Sequence, residues 1–440
     1  MDLLKNIFKG DKVIWIIFLC LCLISIIEVF SAASTLTYKS GDHWGPITQH
    51  SIILMVGAVV VVFLHNVPYK WFQVFPVFLY PISLVLLAFV TLMGIITGDR
   101  VNGAARWMTF MGLQFQPSEL AKMAVIIAVS FILSKRQDEE GANPNAFKYI
   151  MILTGLVLVL IAPENLSTAM LLFGVVFMMM FIGRVAAKKL LLLAGGLVLI
   201  VALGVGTVVA IPAKTLHNTP GLHRLETWQN RIKGFFDKDE VPAAKFDIDK
   251  DAQIAHARIA IATSHVVGKG PGNSIQRDFL SQAFSDFIFA IVIEEMGLIG
   301  GIFVVFLYLC LLMRAGRIAQ KCERTFPAFL VMGIALLLVS QAILNMMVAV
   351  GLFPVTGQPL PLVSKGGTST LINCAYIGMI LSVSRYTAHL EEQKAHDAQL
   401  QLQLEADAAA NSEAQTAAEP TAQILNSDAK FEDEHDIDKR

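Results

Sequence analysis

Ten apolar runs separated by polar segments constrain the fold of this 440-residue chain more than any other feature. Each run approaches the roughly 20 residues that an α-helix needs to cross the hydrocarbon core of a bilayer. The pattern therefore predicts an all-α polytopic membrane protein with about ten transmembrane helices. The predicted spans are at about 13–33, 48–66, 72–97, 114–134, 147–163, 166–183, 189–211, 285–313, 327–352 and 367–386.

The composition agrees with this prediction. Hydrophobic residues make up 55% of the chain and charged residues 16%, with a mean hydropathy of +0.62. Because a soluble domain carries about 25% charged residues, this composition excludes a soluble enzyme. From Ala388 onward, 13 Asp and Glu residues face only 4 Lys and Arg residues, so the net charge of −1 conceals an acidic tail and a basic membrane part. A basic nucleic-acid-binding protein is not expected.

One boundary between spans is weak. Only Pro163, Glu164 and Asn165 separate the fifth and sixth apolar runs, so a single broken helix is the alternative there, and it would reverse every later span. Positive charges favour ten spans with both termini in the cytoplasm, since 15 Lys and Arg residues then lie in inner segments and 4 in the short outer loops. The segment from Lys5 to Ala33 resembles a secretory signal, but its apolar run is long, and we interpret it as an uncleaved first helix.

Two segments differ in composition from the predicted spans of the membrane domain, residues 1–386. Residues 212–284 form a polar outer loop between spans seven and eight, which is far longer than an ordinary connection and is typical of a functional loop. Within it, residues 252–267 have helical spacing and predict an amphipathic helix that either lies on the membrane surface or merely covers the bundle. Residues 387–440 are predicted to form an acidic, Ala- and Gln-rich cytoplasmic tail, helical at first and disordered after about Leu404.

The sequence contains no metal-binding motif. The five Cys residues have neither a zinc spacing nor a disulfide framework, and the ten His residues include no His-Glu-x-x-His pattern. Walker and dinucleotide-binding glycine motifs are also absent. We therefore predict no metal site held by assignable residues.

Glu119 and Lys122 are ionisable residues inside a predicted span. A charge in hydrocarbon is costly, so each such residue is a functional hypothesis. Their spacing of three residues places both on one helix face, where an ion pair would lower the cost of burial. The pair is therefore either purely structural, or it places Lys122 in a polar cavity that attracts a phosphate or a carboxylate.

Asp286 follows the long outer loop and lies at the beginning of the eighth span. Ser285 or Asp286 could cap this helix. Alternatively, a carboxylate at the outer surface, partly desolvated by neighbouring Phe residues, is suited to act as a general base. Glu294 and Glu295 lie deeper in the same span and cannot face the same way, so at least one of them needs a partner inside the bundle.

The outer loop between the last two spans, from Pro354 to Ser369, is rich in proline and glycine. Its three prolines and three glycines exclude a regular helix and allow a ligand to approach the backbone closely. Gly366 and Gly367, flanked by Ser364 and Thr368, supply amide and hydroxyl donors of the kind that binds phosphates. The alternative is a rigid connector without a binding role.

Five ordered blocks of this sequence resemble the SEDS family of cell-wall polymerases, which includes FtsW and RodA. The similarity extends over nearly all of the membrane part. The blocks are Asn102-Gly103-Ala104-Ala105-Arg106-Trp107, Phe115-Gln116-Pro117-Ser118-Glu119-Leu120-Ala121-Lys122, Gly268-Lys269-Gly270-Pro271-Gly272-Asn273-Ser274, Ser285-Asp286-Phe287-Ile288-Phe289-Ala290 with Glu294-Glu295, and Pro354-Val355-Thr356-Gly357 through Gly366-Gly367-Thr368-Ser369.

The resemblance implies a peptidoglycan glycosyltransferase that polymerises lipid II on the outer face of the bacterial cytoplasmic membrane. It also implies a class B penicillin-binding protein as transpeptidase partner, together with other division proteins. By position, Asp286 matches the family's essential acid and Lys122 and Glu119 match its polar pair, while Arg106 and Arg231 match further family positions. Asp286 would be the general base. The basic residues, or a divalent cation such as Mg²⁺ or Mn²⁺ that cannot be assigned to residues, would neutralise the pyrophosphate.

Two segments depart from the family pattern. The family often has Asp-Leu-Gly-Thr-Ala where this chain has Asn165-Leu166-Ser167-Thr168-Ala169, and Lys365 replaces a residue that is often Tyr. The acidic tail and the Ser-Asp-Phe-Ile-Phe sequence favour the FtsW branch, which acts in septal division, over the RodA branch, which acts in elongation. A lipid II flippase and a scaffold that positions a synthase are alternatives that the sequence leaves open.

Overall fold

The computed structural model of the chain describes residues 9–32, 45–96, 108–110, 113–138, 141–211, 229, 251–280 and 284–435. The described part is predominantly helical. Its α-helices are α1 (Lys12–Ala32), α2 (Gly45–Asn66), α3 (Phe75–Ile96), α4 (Pro117–Lys135), α5 (Pro144–Ile161), α6 (Leu166–Ile182), α7 (Ala187–Ala210), α8 (Asp251–Ala262), α9 (Ile288–Lys321), α10 (Thr325–Ala349) and α11 (Gly367–His435).

Short elements connect some of these helices. Strand β1 (Met108–Phe110) pairs antiparallel with β2 (Leu113–Phe115), with Met108 opposite Phe115. Strand β3 (Gln137–Asp138) pairs in the same way with β4 (Gly141–Ala142). Single 3₁₀ turns are formed by Tyr69–Gln73 and Gln276–Phe279.

Ten of the described helices correspond to the ten predicted spans. Nine helices in the described residues are long and apolar enough to cross a membrane, and α6, with 17 residues, is a shorter apolar helix. This confirms an all-α membrane protein with about ten transmembrane helices. The long connection between the seventh and eighth spans joins α7 to α9 and contains α8, which ends at Ala262 rather than at the predicted residue 267.

The fifth and sixth apolar runs form two separate helices, so the alternative of one broken helix is wrong. Helix α5 ends at Ile161 and α6 begins at Leu166. Asn165 stabilises the second boundary, because its Oδ1 accepts a hydrogen bond from Thr168 N at 3.2 Å and satisfies one of the free amides of the first turn. Asn and Asp are about equally good caps, so the departure from the family's acid preserves this role.

The most buried helices are α4, α10 and the first part of α11. Most side chains of α4 and α10 are buried, whereas Leu190 is the only buried one among the described side chains of α7. In a bilayer, exposed apolar side chains contact lipid, so this difference separates central helices from a peripheral one. Because α4 is central, it buries both Glu119 and Lys122.

Helix α9 is interrupted at Gly297, whose φ of 72° and ψ of −175° are not helical. The preceding loop bonds the backbone groups that the interruption frees: Leu298 N donates to His265 O at 3.2 Å, and Gly270 N donates to Glu295 O at 2.8 Å. Gly297 and Gly268 approach so closely that a Cβ on either would overlap the other's backbone. Irregular backbone is tolerated at membrane depth only where protein satisfies its polar groups, and this loop does so.

The C-terminal segment is helical where its composition predicts disorder. Helix α11 continues from Gly367 to His435, and the chain divides into compact units at Met1–Arg385 and Tyr386–Arg440. The described side chains from Glu391 to Ala409 are all exposed. Ala, Glu, Gln and Leu are strong helix formers, so local propensity explains a helix in a segment that buries no core.

Candidate active site

Asp286 lies directly before α9, and its side chain is half-buried beside the fully buried Phe287. The N-cap position of α9 is Phe287, which makes no side-chain capping bond. The alternative role of Ser285 or Asp286 as the N-cap of this helix is therefore wrong. The main chain of Asp286 is fixed instead by α10, since its carbonyl oxygen accepts a hydrogen bond from Asn345 Nδ2 at 3.0 Å.

Two buried amide side chains of α10 connect Asp286 to the loop of residues 354–366, which we call the outer clasp. Asn345 Nδ2 donates to Gln358 O at 2.8 Å in addition to Asp286 O. One turn earlier, Gln341 Nε2 donates to Pro359 O at 3.0 Å. Both side chains are about 1% exposed, and buried hydrogen bonds are strengthened by the low local dielectric. These bonds hold the outer clasp against α10.

The outer clasp is also bonded to the segment that contains Asp286. Ser364 Oγ donates to Ser285 O at 2.7 Å and accepts from Leu360 N at 2.8 Å. Lys365 N donates to Phe284 O at 2.9 Å, and its ammonium lies 5.7 Å from the centroid of the Phe284 ring. Burial lowers the pKa of the Lys365 side chain. Asp286 and the outer clasp therefore form one hydrogen-bonded unit.

Glu119 and Lys122 form the ion pair that the sequence predicts. Lys122 Nζ lies 2.8 Å from Glu119 Oε1, and both side chains are almost completely buried. The same ammonium donates to Gln341 Oε1 at 2.8 Å. Because Gln341 also bonds Pro359, the pair connects α4 through α10 to the outer clasp.

Gly366 and Gly367 lie where the outer clasp meets α11. The carbonyl oxygen of Gly366 accepts hydrogen bonds from Thr370 N at 2.8 Å and from Ser369 Oγ at 3.0 Å. The structure thus brings five predicted site residues and Asp286 into one connected region. Those five are Glu119, Lys122, Ser364, Gly366 and Gly367. The other two predicted residues, Arg106 and Arg231, lie outside the described residues.

Both Glu294 and Glu295 have partners, which confirms that at least one of them needs a partner inside the bundle. Lys269 Nζ lies 2.6 Å from Glu294 Oε1. Glu295 accepts hydrogen bonds from Gly272 N at 2.9 Å and from Ser274 N at 3.1 Å. Residues of the glycine-rich block 268–274 therefore bond both acids, which lie on α9 about two turns after Asp286.

The neutral amide residues of this site are not among those predicted from the sequence. Gln341, Asn345 and Gln358 connect its parts, and Gln358 Nε2 also donates to Thr168 Oγ1 at 2.7 Å. An amide side chain in hydrocarbon is itself costly. Gln341 and Asn345 lie four residues apart in a largely apolar span, and this spacing could have indicated a polar site on one face of the helix. Within the described residues, no group of three or more His, Cys, Asp or Glu side chains is placed to hold a metal ion.

A half-buried carboxylate on a fixed main chain is suited to accept a proton from a hydroxyl group that approaches it. General bases act within hydrogen-bond reach, about 2.6–3.2 Å, of the proton that they remove. Asn345 fixes the main chain of Asp286, and Gln341 connects the ion pair to the outer clasp, so that a substrate meets a preorganised site.

Residues 11–389 match the family of FtsW, RodA and SpoVE, which is described as "Cell cycle protein". A relative from Trichlorobacter lovleyi, "Probable peptidoglycan glycosyltransferase FtsW", is 32% identical over 87% of this chain and 96% of its own length. The protein of the same name from Haemophilus ducreyi is 31% identical over 86% of this chain and 90% of its own length.

Solved structures have the same fold. One chain, from work on the structural coordination of polymerization and crosslinking by a peptidoglycan synthase complex, is 25% identical, with a TM-score of 0.66 over 86% of this chain and 99% of that one. The Thermus thermophilus rod shape determining protein RodA is 23% identical, with a TM-score of 0.58 over 86% of this chain and 98% of that one.

Proposed function

This chain belongs to the FtsW, RodA and SpoVE family of cell cycle proteins, and we propose that it is a peptidoglycan glycosyltransferase with Asp286 as its general base. Relatives named as peptidoglycan glycosyltransferase FtsW match it over most of their lengths. The observation that carries the choice of base is the position of Asp286, a half-buried carboxylate whose main chain is bonded to α10 through Asn345.

In the proposed reaction, the Asp286 carboxylate removes the proton of the 4-hydroxyl of an acceptor sugar. That oxygen forms a bond to the anomeric carbon of the lipid II donor while the bond from this carbon to undecaprenyl pyrophosphate breaks, and the α linkage becomes β. The pyrophosphate leaves with the electron pair. Glycosidases commonly need a second carboxyl group to protonate a poor leaving group. Pyrophosphate is a good leaving group, so one acid is sufficient.

The leaving pyrophosphate requires positive charge. We assign this role to Arg106, Arg231 or a divalent cation such as Mg²⁺ or Mn²⁺, because developing negative charge is stabilised by preorganised cations. Lys122 has a supporting role. Its ammonium is fully buried and already bonded to Glu119 and Gln341, so it supports the outer clasp through Gln341. We assign substrate contacts to Ser364 and Gly366 of the outer clasp and to Gly367, the first residue of α11.

The names of the relatives support a role in division rather than elongation. We place the protein in the bacterial inner membrane at the division septum, with both termini in the cytoplasm and lipid II polymerised on the outer face. Its similarity to a chain of a peptidoglycan synthase complex supports a membrane-embedded partner, for which we propose a class B penicillin-binding protein, together with other division proteins.

The test compares the purified full-length protein with Asp286→Asn, with and without the candidate transpeptidase, on lipid II with Mg²⁺ or Mn²⁺. We expect glycan ladders from the wild type and none from Asp286→Asn. Asp397→Asn is the matched control, since its side chain is about 78% exposed in the tail. Thermal unfolding of each variant shows that the protein is folded. Ladders from Asp286→Asn would contradict the proposed base, and lipid II movement across vesicles without any ladder would favour a flippase.

A further inference from the structure

Glu28 is a buried acid that the proposed reaction does not use. It lies near the C-terminal end of α1, and its relative exposure is 0%. Neither of its carboxylate oxygens has a hydrogen-bond partner in the described part of the chain. A buried carboxylate without a partner is strongly unfavourable, so this group calls for an occupant that the described side chains do not supply.

Glu28 lies one helical turn before Ser31 on α1, so the two share a helix face, and the Ser31 hydroxyl donates a hydrogen bond across to Glu295 of α9. Glu295 is equally buried, but it accepts hydrogen bonds from the Ser31 hydroxyl, Gly272 N and Ser274 N. Arg277 closes the other side, with Nη1 donating to Ser31 Oγ at 2.8 Å and lying 4.0 Å from Glu295. Two carboxylates and a hydroxyl therefore converge between α1 and α9.

The charges of this region do not balance. Lys269 lies within 4.0 Å of Glu294 and Arg277 within 4.0 Å of Glu295. Arg277 also lies 3.7 Å from Asp278, but the side chain of Asp278 is half-exposed, so water screens its charge. Glu28 adds one further negative charge that no described cation offsets by contact. Among the described buried acids, Glu28 is therefore the one whose charge is not offset, and one positive charge would restore neutrality there, whereas a divalent ion would exceed it.

We propose that Glu28 and Glu295 bind a single monovalent cation, Na⁺, beside the Ser31 hydroxyl. Oxygen ligands suit hard cations, and an ionised carboxylate offers about four lone-pair sites, all of which are available on Glu28. The site joins α1 to α9 just below the glycine-rich block, so its occupation would stabilise that junction. The proposal does not rest on the glycosyltransferase function, because binding is measured without substrate.

The experiment measures thermal unfolding of the full-length protein in detergent while NaCl replaces N-methyl-D-glucamine chloride at constant ionic strength. A ligand that binds only the folded state raises the melting temperature in a saturable way, and we expect a rise of about 2 °C or more for the wild type. We expect Glu28→Gln to lose this dependence. Glu323→Gln, which removes an exposed acid from the connection before α10, should keep it.

Saturable binding of radioactive ²²Na⁺ to the wild type, at one ion per chain, tests the proposal without any variant, in case Glu28→Gln does not fold. The proposal is overturned if Na⁺ and N-methyl-D-glucamine give the same melting temperature, or if Glu28→Gln keeps the full response. Stabilisation by Mg²⁺ or Mn²⁺ but not by Na⁺ would also overturn it, as would stabilisation by acid alone, which would identify the occupant as a proton.

Discussion

Asn345 is the residue through which α10 fixes both Asp286 and the outer clasp. One amide nitrogen bonds the carbonyl oxygens of Asp286 and Gln358, at 3.0 and 2.8 Å. Its effect on the reaction is therefore one of position, since it contacts the main chain of the proposed base and not the carboxylate that accepts the proton.

We expect Asn345→Ala to reduce the rate of lipid II polymerisation about 100-fold, because a displacement of about 1 Å at a catalytic group has an effect of that size. The folded protein should persist. The measurement is the initial rate of glycan formation, with a melting curve for each variant. Ile343→Ala, on a lipid-exposed position of the same helix, should keep the wild-type rate. A wild-type rate for Asn345→Ala would contradict the positioning role of Asn345.

A double-mutant cycle on Glu119 and Lys122 distinguishes a structural role of this ion pair from a role in the reaction. Removing one partner of a buried pair leaves an uncompensated charge, so Lys122→Met or Glu119→Gln alone should cost about 3–5 kcal/mol of stability. The double variant should recover most of this loss. Thermal unfolding of all four proteins measures the coupling. Polymerisation should stay low in the double variant, because Gln341 loses the ammonium that fixes it.

At this scale the sequence predicts the charged residues of the site better than its neutral ones. Glu119, Lys122 and Asp286 are conspicuous because a charge inside or beside an apolar run is costly to bury and therefore rare. Asn345 is recognisable only as an amide in an apolar span, and its role cannot be predicted, since the main-chain carbonyls of Asp286 and Gln358 that it bonds are brought near it only by folding.

Among the secondary-structure elements, α9 departs most from a regular form. Gly297 adopts a conformation that is essentially restricted to glycine, and the segment 265–270 supplies hydrogen bonds across the interruption. The hydropathy of the eighth span gives no indication of this break. Its cause is the contact with Gly268, which no local pattern encodes.

We expect Gly297→Ala to destabilise the protein by about 3 kcal/mol or more, or to abolish folded yield, because of backbone strain and overlap with Val266 and Gly268. The measurement is thermal unfolding, with folded yield from size-exclusion chromatography. Gly316→Ala on the same helix is the control. Nothing lies within 4 Å of its added Cβ, so it should be neutral or stabilising by about 0.5–1 kcal/mol. Equal behaviour of the two variants would contradict the role of Gly297.

For the molecule as a whole, the ten-helix architecture follows from the apolar runs, and the helix ends lie within a few residues of the predicted ones for most spans. This works because a bilayer requires long helices with satisfied backbones, which leaves few alternative folds. The last helix is the exception. Low hydrophobicity predicts disorder for this segment, but Ala, Glu and Gln favour a helix even where no hydrophobic core is buried.

Deletion of residues 405–440 should leave both the melting temperature and the rate of lipid II polymerisation unchanged. The described side chains of residues 391–409 are exposed, and the family match ends at residue 389. Tolerance to truncation follows from the burial of the removed backbone and side chains. The comparison is between the truncated and full-length proteins in one assay. A large loss of polymerisation would assign the tail a role in the reaction.

The outer clasp has a consequence for the entropy of substrate binding. Immobilising one residue of a flexible chain costs roughly 1–2 kcal/mol in TΔS, so a loop of this length that became ordered only around its substrate would weaken binding considerably. Gln341, Asn345 and Ser364 hold the outer clasp through bonds within the chain itself. Its ordering is therefore a cost of folding and not of binding, and contacts with the sugars remain available to stabilise the transition state.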